Sequence, residues 1–270
     1  MTEGRMVMLE IESIRNPRIQ ALRKLTRARE RRALGRFLVE GPRMAEEALA
    51  AGLCETVLIS RSQERTEAAA EWAEAKGLEV VRVSEAIMES LSENRTPQGI
   101  LCVCRIPEEK KPDGPLILAL DAVQNPGNVG TMIRTADAAG FAGILLGSGC
   151  ADLYGSKTLA ATMGSVFHLP VATVPDLAGT LHAYAEAGYA VIATELGGAD
   201  FYEDCPGSPA ILVIGNEGNG ISGEVSGVAT LHLALPMRGG AESLNASVAA
   251  GIMIYEMARR EAHRAGGKGK

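Results

Sequence analysis

No run of apolar residues in this 270-residue sequence reaches the roughly 18 needed to cross a bilayer, so a helical membrane span is not expected. Residues 1–12 carry acids and no apolar signal core, so the chain reads as cytoplasmic rather than secreted. The five cysteines, Cys54, Cys102, Cys104, Cys150 and Cys205, are odd in number, scattered and without a C-x-x-C pair. Neither a disulfide framework nor a zinc site is expected; they read as reduced, mostly packed thiols, and no metal is called for. A G-x-G-x-x-G fingerprint is also missing, since residues 215–220 have the order G-x-x-G-x-G. A Walker loop fails as well. Ser156 precedes Lys157-Thr158 where a glycine is required, and Ala151 stands in place of the first glycine. These absences point away from a Rossmann-type nucleotide site.

What is present begins with 46% hydrophobic residues, enough for one large domain or two ordinary ones and too many for general disorder. The net charge of −6 argues against a uniformly basic nucleic-acid binder. Its distribution says more. Residues 13–36 hold nine cations (Arg15, Arg18, Arg23, Lys24, Arg27, Arg29, Arg31, Arg32, Arg36) against Glu30 alone, a local charge of +8. Such a run is either a solvated helical face or a phosphate-contacting surface that gains affinity by counterion release. The segment 259–270 is also basic and glycine-rich, with an end expected to be disordered.

Strand and helix patterns alternate along the chain. Residues 13–32 read as one basic helix carrying Ile19, Leu22 and Leu25, so that 1–32 forms a basic N-terminal helical extension. A small α/β domain is expected over 33–106. Its strands are near 37–41, 57–59, 78–83 and 99–104, and its helices at 42–51 (Pro42 in the first turn), 64–76 (ended by Gly77) and 84–91, opened by a Ser84 cap. Residues 107–115, with three prolines and charges, read as a linker. A second α/β domain is expected over 116–265, with a flexible tail at 266–270. Its strands are placed at 116–120, 143–146, 168–171, 190–193, 210–214 and 231–234, and its helices at 129–139, 157–163, 177–187 and 243–262. The last helix puts Leu244, Val248, Ile252 and Tyr255 on one face, suited either to a dimer surface or to intramolecular core.

Three polar, turn-rich segments lie beside the apolar strands of the second domain. After strand 116–120 comes Asn125-Pro126-Gly127-Asn128-Val129-Gly130, with Arg134 following. The asparagines could hold a loop over 121–130 by Asx turns and cap the helix, and Arg134 could be a surface residue paired with Asp137. Equally, Arg134 lies about one turn from the loop, so its fork could hold an anion there. After strand 210–214 comes Gly215-Asn216-Glu217-Gly218-Asn219-Gly220, either a connecting turn or a set of backbone donors and a carboxylate at a strand end where open α/β sheets bind ligands. Leu235-Pro236-Met237 then leads to Ser243-Leu244-Asn245. Ser243 or Asn245 can cap the final helix, a role that does not exclude ligand contact.

Taken jointly and in order, these segments resemble the three signature motifs of the SpoU/TrmH branch of the SPOUT RNA methyltransferases, across about 150 residues. The N-terminal part is less specifically similar to the substrate-binding module often fused to that family, an α/β unit related to RNA-binding ribosomal proteins. The resemblance implies an α/β fold with a deep trefoil knot, a homodimer with its site beside the subunit interface, and S-adenosylmethionine as cofactor. The donor would be held by Thr194, Glu195, Leu196 and Gly197, by Gly215, Asn216, Glu217 and Gly218, by Leu235 and Met237, and by Ser243, Leu244 and Asn245. The implied chemistry is methyl transfer to a ribose 2′-hydroxyl of RNA. Arg134 would engage the hydroxyl and adjacent phosphate, as general base or as an orienting cation; arginine normally stays protonated, which favours orientation. Asn128 would position Arg134 or the ribose. Glu217 and Asn245 would shape the pockets, supported by Ser243. Arg23, Lys24, Arg27, Arg29, Arg31, Arg32 and Arg36 are the expected RNA contacts. One departure stands out: many relatives carry arginine where this chain has Ala160, which bears on RNA contacts. The extra N-terminal domain favours ribosomal RNA, of the large subunit, in a housekeeping or a resistance role. A tRNA substrate and a non-catalytic ribosome-assembly protein are the alternatives.

Overall fold

The computed structural model describes residues 9–61 and 67–267. They form two compact units, one of residues 9–108 with Tyr154–Phe167, the other of residues 109–153 with 168–267. The passage between them at residues 108–109 lies within the proline-rich linker stretch. The excursion Tyr154–Phe167 into the first unit is not visible in the sequence.

The first unit runs β1 (Leu9–Ile11), α1 (Pro17–Arg23), α2 (Ala28–Leu34), β2 (Arg36–Glu40), α3 (Pro42–Ala50), β3 (Cys54–Ser60), α4 (Glu67–Ala75), β4 (Glu79–Val83), α5 (Glu85–Leu91) and β5 (Ile100–Arg105). The sheet order is β1-β4-β3-β5-β2, with β1, β4 and β3 parallel and β5 antiparallel to β3 and β2. Alternate residues of β3 feed opposite faces, as a period of two requires. Val57 and Ile59 join Phe37, Met44 and Ile100 in one cluster, while Leu58 joins Ile19, Val81, Ile87 and Met88 in another. Strand β1 escapes sequence reading because it is three residues long and only Ile11 is buried.

The single basic helix expected over 13–32 is not formed. Asn16 caps α1 by accepting from the Arg18 N–H at 2.9 Å. A 3₁₀ turn (Lys24–Thr26) follows, and Arg27 then adopts an extended conformation (φ −102°, ψ 129°) before α2 begins. Ser84 also departs from expectation. Its hydroxyl donates to the Glu12 carbonyl at 3.1 Å and makes no cap bond to α5.

The second unit contains β6 (Leu116–Leu120), α6 (Pro126–Ala138), β7 (Gly143–Gly147), β8 (Val171–Val174), α8 (Leu177–Glu186), β9 (Ala190–Asp200), α9 (Phe201–Asp204), β10 (Ala210–Ile214), α10 (Gly223–Ser226), β11 (Leu231–Ala234) and α11 (Ala246–Gly267). The helix Ser156–Thr162 of the first unit is α7 in chain order. All six strands are parallel, in the order β11-β9-β10-β6-β7-β8. Strands β6, β7 and β10 are buried at every residue, as a parallel sheet covered on both faces demands.

Three boundaries in this unit shift for local reasons. Helix α6 starts at Pro126 rather than at residue 129. The Asn125 side chain accepts from the N–H groups of Gly127 (2.8 Å) and Asn128 (3.2 Å), and Pro126 at the first position needs no acceptor. Strand β8 starts after Pro170, whose carbonyl accepts from Ile144 N at 2.9 Å, and not at His168. Helix α11 starts after Asn245, whose side chain accepts from Ser247 N (2.9 Å) and Val248 N (3.3 Å), so residue 243 lies outside it. The apolar stripe of α11 is exposed: Val248 retains 51% and Tyr255 55% of their accessible surface, Ile252 is also open, and Leu244 is exposed just before the helix. A different face, Ala250, Met253, Ile254 and Met257, is the buried one. Intramolecular core is therefore not the role of that stripe.

All five cysteines are free, and four of them are buried. Burial pushes the Cys150 thiol up to about 11.

Candidate active site

Leu120 of β6 pairs in parallel with Ile214 of β10, so two of the three polar segments leave adjacent strand ends. From β6 the chain proceeds outward to β7 and β8, while β9 to β11 fill the opposite half of the sheet. This reversal is where open α/β sheets leave a crevice at their carboxyl ends.

Hydrogen bonds stitch the segments together there. The Asp121 carboxylate accepts from Ser222 N at 2.7 Å, and the Asn216 amide donates to the Ala122 carbonyl at 2.8 Å. Glu217 accepts from Gln124 N (3.3 Å), Asn125 N (3.2 Å) and the Asn128 amide (2.9 Å). Asn128, buried at 7% exposure, receives in turn a bond from the Asn245 amide at 3.3 Å. A continuous chain Asn245–Asn128–Glu217 thus passes through all three segments. Asn128, expected to position Arg134 or a ribose, has each end of its amide engaged once, by Glu217 and by Asn245.

Two close backbone approaches shape the adjoining cleft. At Gly215 a Cβ would stand 2.3 Å from the Gly220 carbonyl carbon and 2.4 Å from Ile221 N. The narrow turn it permits is closed by paired Asn216–Gly220 backbone hydrogen bonds of 2.9 Å. On β9 the register with β11 jumps from Ala193↔His232 to Ala199↔Leu233, so residues 194–198 bulge out of the ladder. A Cβ at Gly198 would meet the His232 carbonyl oxygen at 2.7 Å.

The bulge, the 215–220 turn, the segment following β11 and the start of α11 enclose a cleft of about 750 Å³. It falls within the ~300–1,000 Å³ usual for small-molecule sites. Its apolar walls include Leu233, Leu244, Ala249 and Met253. Every donor-binding residue expected from the sequence lines it except Gly197: Thr194, Glu195, Leu196, Gly215, Asn216, Glu217, Gly218, Leu235, Met237, Ser243, Leu244 and Asn245. Sequence reasoning missed Asp121 and the α11 residues Ala246, Ala249 and Met253. The Asp121 signal was available, as a carboxylate directly after a buried strand. The small and flexible α11 residues looked like ordinary helix core.

Glu217 titrates below the ordinary carboxylate range. Desolvation by burial opposes its charge, but the Asn128 amide and the backbone N–H groups of the loops outweigh it. A carboxylate held in this way is an organiser of two loops and a poor proton acceptor. Because its folded pKa is depressed, its contribution to stability is complete above the unfolded value of ~4.3 and is lost as pH falls through the folded value. Glu217→Gln is therefore expected to lower the melting temperature at pH 7. The difference from the unsubstituted protein should narrow as the pH is taken below 4, measured by parallel thermal melts.

Arg134 lies on the exposed side of α6 and outside the cleft lining. Asp137, its expected partner, is instead bonded to His168 Nδ1 at 2.8 Å. Among the described residues Arg134 has no hydrogen-bond or ion-pair partner.

One member of the expected RNA-contacting set is corrected, and a second, Arg36, is exposed but paired. Arg31 is buried at 6% exposure and donates to the Leu25 carbonyl at 2.7 Å, fixing the turn between α1 and α2. Arg36 forms an ion pair with Glu55 at 2.6 Å. Arg23, Lys24, Arg27, Arg29 and Arg32 are exposed, with no ion-pair partner among the described residues.

Fold and site together define an α/β protein with a small-molecule cleft at the carboxyl ends of its parallel strands, and comparison with known proteins fixes the family. The model of the SpoU rRNA Methylase family matches residues 115–255, and that of the MRM3-like substrate binding domain matches residues 16–102. The chain is 39% identical over 254 residues to the Bacillus subtilis 23S rRNA (guanosine(2553)-2'-O)-methyltransferase RlmP, covering 93% of this chain and 99% of that protein. An AdoMet-bound rRNA methyltransferase from Sinorhizobium meliloti superposes with a TM-score of 0.81 at 33% identity, covering 94% of this chain and 98% of that one. The SpoU methyltransferase AviRb from Streptomyces viridochromogenes, in complex with AdoMet, gives 0.83 at 30% identity, covering 91% and 98%. The chain belongs to the SpoU family of RNA methyltransferases.

Proposed function

We propose that the 750 Å³ cleft binds S-adenosylmethionine and that the enzyme methylates a ribose 2′-hydroxyl of large-subunit ribosomal RNA. The observation that carries this reading is the Asn245–Asn128–Glu217 chain, which ties the wall of the cleft to the helix bearing Arg134. The residues present fit the donor. Apolar Leu233, Leu244 and Met253 share the lining with the polar side chains of Thr194, Glu195, Asn216, Ser243 and Asn245, a mixture that suits a molecule with both an apolar thioether-like part and polar ends. When bound, the donor supplies an electrophilic methyl group on a sulfonium, so the transfer itself calls for no metal.

The protein's own part is positioning. Thr194, fixed by its 2.8 Å bond to the Val213 carbonyl, Glu195 and Leu196 form one wall, with Gly197 next to them in the same bulge. Gly215 to Gly218 form the floor, and Leu235, Met237, Ser243, Leu244 and Asn245 form the opposite wall. Arg134 orients the incoming hydroxyl and its neighbouring phosphate, in keeping with its exposure and with its having no partner among the described residues. Orientation of this kind contributes without removing the arginine's proton.

The exposed stripe Val248, Ile252 and Tyr255 is read as the contact with a second copy, giving a homodimer. The path from β10 through β11 to α11 is read as a trefoil knot, in keeping with the family signatures, and the enzyme as cytoplasmic. The five exposed cations of the first unit are read as phosphate contacts. Replacing Arg23, Lys24, Arg27, Arg29 and Arg32 by alanine should weaken RNA binding. It should also flatten its salt dependence, by ~0.7–0.9 in slope for each phosphate that is no longer neutralised. Unchanged slopes would mean a merely solvated surface. Calorimetry of the purified protein with S-adenosylmethionine tests the donor assignment: one site per chain is expected, and an absence of heat at millimolar donor contradicts it.

A further inference from the structure

A second cleft, of about 190 Å³, lies wholly within the first unit, between the turn after α1, the β2–α3 junction, the segment before β5 and α7. Leu25, Leu38, Met44, Leu91, Leu159 and Met163 give it apolar walls. Its polar groups are organised. The Glu40 carboxylate accepts from Ser92 Oγ, placed between its two oxygens (2.8 and 2.9 Å), from the Asn94 amide (2.9 Å) and from Gln98 N (3.0 Å), so each oxygen is engaged. It holds the segment bearing Gln98 in place. Gly41, at φ +100°, makes room for the Gln98 side chain, since a Cβ there would stand 2.7 Å from Gln98 Oε1. The Gln98 amide itself has no hydrogen-bond partner among the described residues.

Charge around the cleft has one dominant sign. Arg43 lines it, and Lys24, Arg27, Arg95 and Lys157 are exposed within two residues of lining positions. None of the five has an ion-pair partner among the described residues. Glu40 and Glu93 are the carboxylates of the lining, and Glu30, Glu46 and Glu89 lie within two residues of it. Glu40 is engaged as above, and Glu93 accepts from Ser156 Oγ.

We propose that this cleft takes one unpaired nucleobase of the RNA substrate, its ring between the apolar walls, its edge on the Gln98 amide and its flanking phosphates on Arg43 and the surrounding cations. The inference rests on the reading of the enzyme as acting on RNA. The volume is below the ~300 Å³ at which ordinary ligand sites begin, which suits one flat ring rather than a whole cofactor. An amide offers a donor and an acceptor side by side, the pattern that base edges complement. Thioether sulfurs such as those of Met44 and Met163 pack well against aromatic rings. Unpaired bases are the part of RNA that proteins read by sequence.

The test uses the full chain and a transcript of large-subunit ribosomal RNA. Ala160 is exposed on α7 and lines the cleft, so Ala160→Trp should fill it without touching the core. The expected result is RNA binding weakened by tenfold or more, with S-adenosylmethionine affinity unchanged. Gln98→Ala should weaken RNA binding about threefold or more and reduce discrimination between transcripts differing at the bound base. Equal RNA affinity in both variants overturns the pocket while leaving the RNA reading intact. Failure of the unsubstituted protein to bind RNA overturns both. Should Ala160→Trp lower the melting temperature, Gln98→Ala decides alone, and unchanged affinity there overturns the pocket.

Discussion

Replacing Arg134 by alanine is expected to lower the methyl-transfer rate by about 10²-fold or more while leaving S-adenosylmethionine affinity within about twofold, on the scale of losing one preorganised group that acts mainly in the transition state. The side chain stands outside the donor cleft, and Asp137, which could have paired with it, is held by His168, so its removal disturbs nothing that shapes the cleft. Arg134→Lys keeps the charge but loses the planar fork, and should recover only part of the rate if hydroxyl and phosphate are engaged together. Single-turnover assays with labelled donor measure the rate, and calorimetry the affinity. Full activity in Arg134→Ala removes the residue from the mechanism.

Gly215→Ala should act on the donor side instead. The added methyl would meet the backbone of Gly220 and Ile221 at 2.3–2.5 Å, where no side-chain rotation can relieve the overlap. The turn must open, breaking the paired Asn216–Gly220 bonds and displacing Glu217 from the loop it holds. Overpacking of this kind costs roughly 1–3 kcal/mol. Donor affinity should fall by at least tenfold, and the melting temperature with it. Gly239→Ala is the control, since nothing lies within 4 Å of its Cβ position and its backbone needs no positive φ. Equal donor affinity in the two variants would show that the 215–220 turn does not form the floor of the donor site.

Much of the second unit was legible because fully buried parallel strands are continuous apolar runs. Residues 116–120 and 210–214 are found as expected for that reason. Segment order and turn chemistry located the cleft, and Asn245 does cap the last helix. What stayed hidden depends on contacts distant in sequence. Nothing local says that Asn128 bonds to residues 89 and 117 positions away. Nor does charge alone reveal that Arg31 turns inward to the Leu25 carbonyl while its neighbours Arg29 and Arg32 face solvent. The α11 stripe shows the limit of periodicity. Val248, Ile252 and Tyr255 form a coherent apolar face that periodicity alone could assign to core or to a contact surface, and the buried face is a different one, carried by Ala250, Met253, Ile254 and Met257.

The most direct measurement incubates the purified protein with S-adenosylmethionine and a large-subunit ribosomal RNA transcript, then maps the product for 2′-O-methylated nucleotides. The account predicts a single ribose 2′-O-methyl that is absent with Arg134→Ala. Methylation confined to a base or to tRNA, or donor binding with no transfer to any RNA, would contradict it.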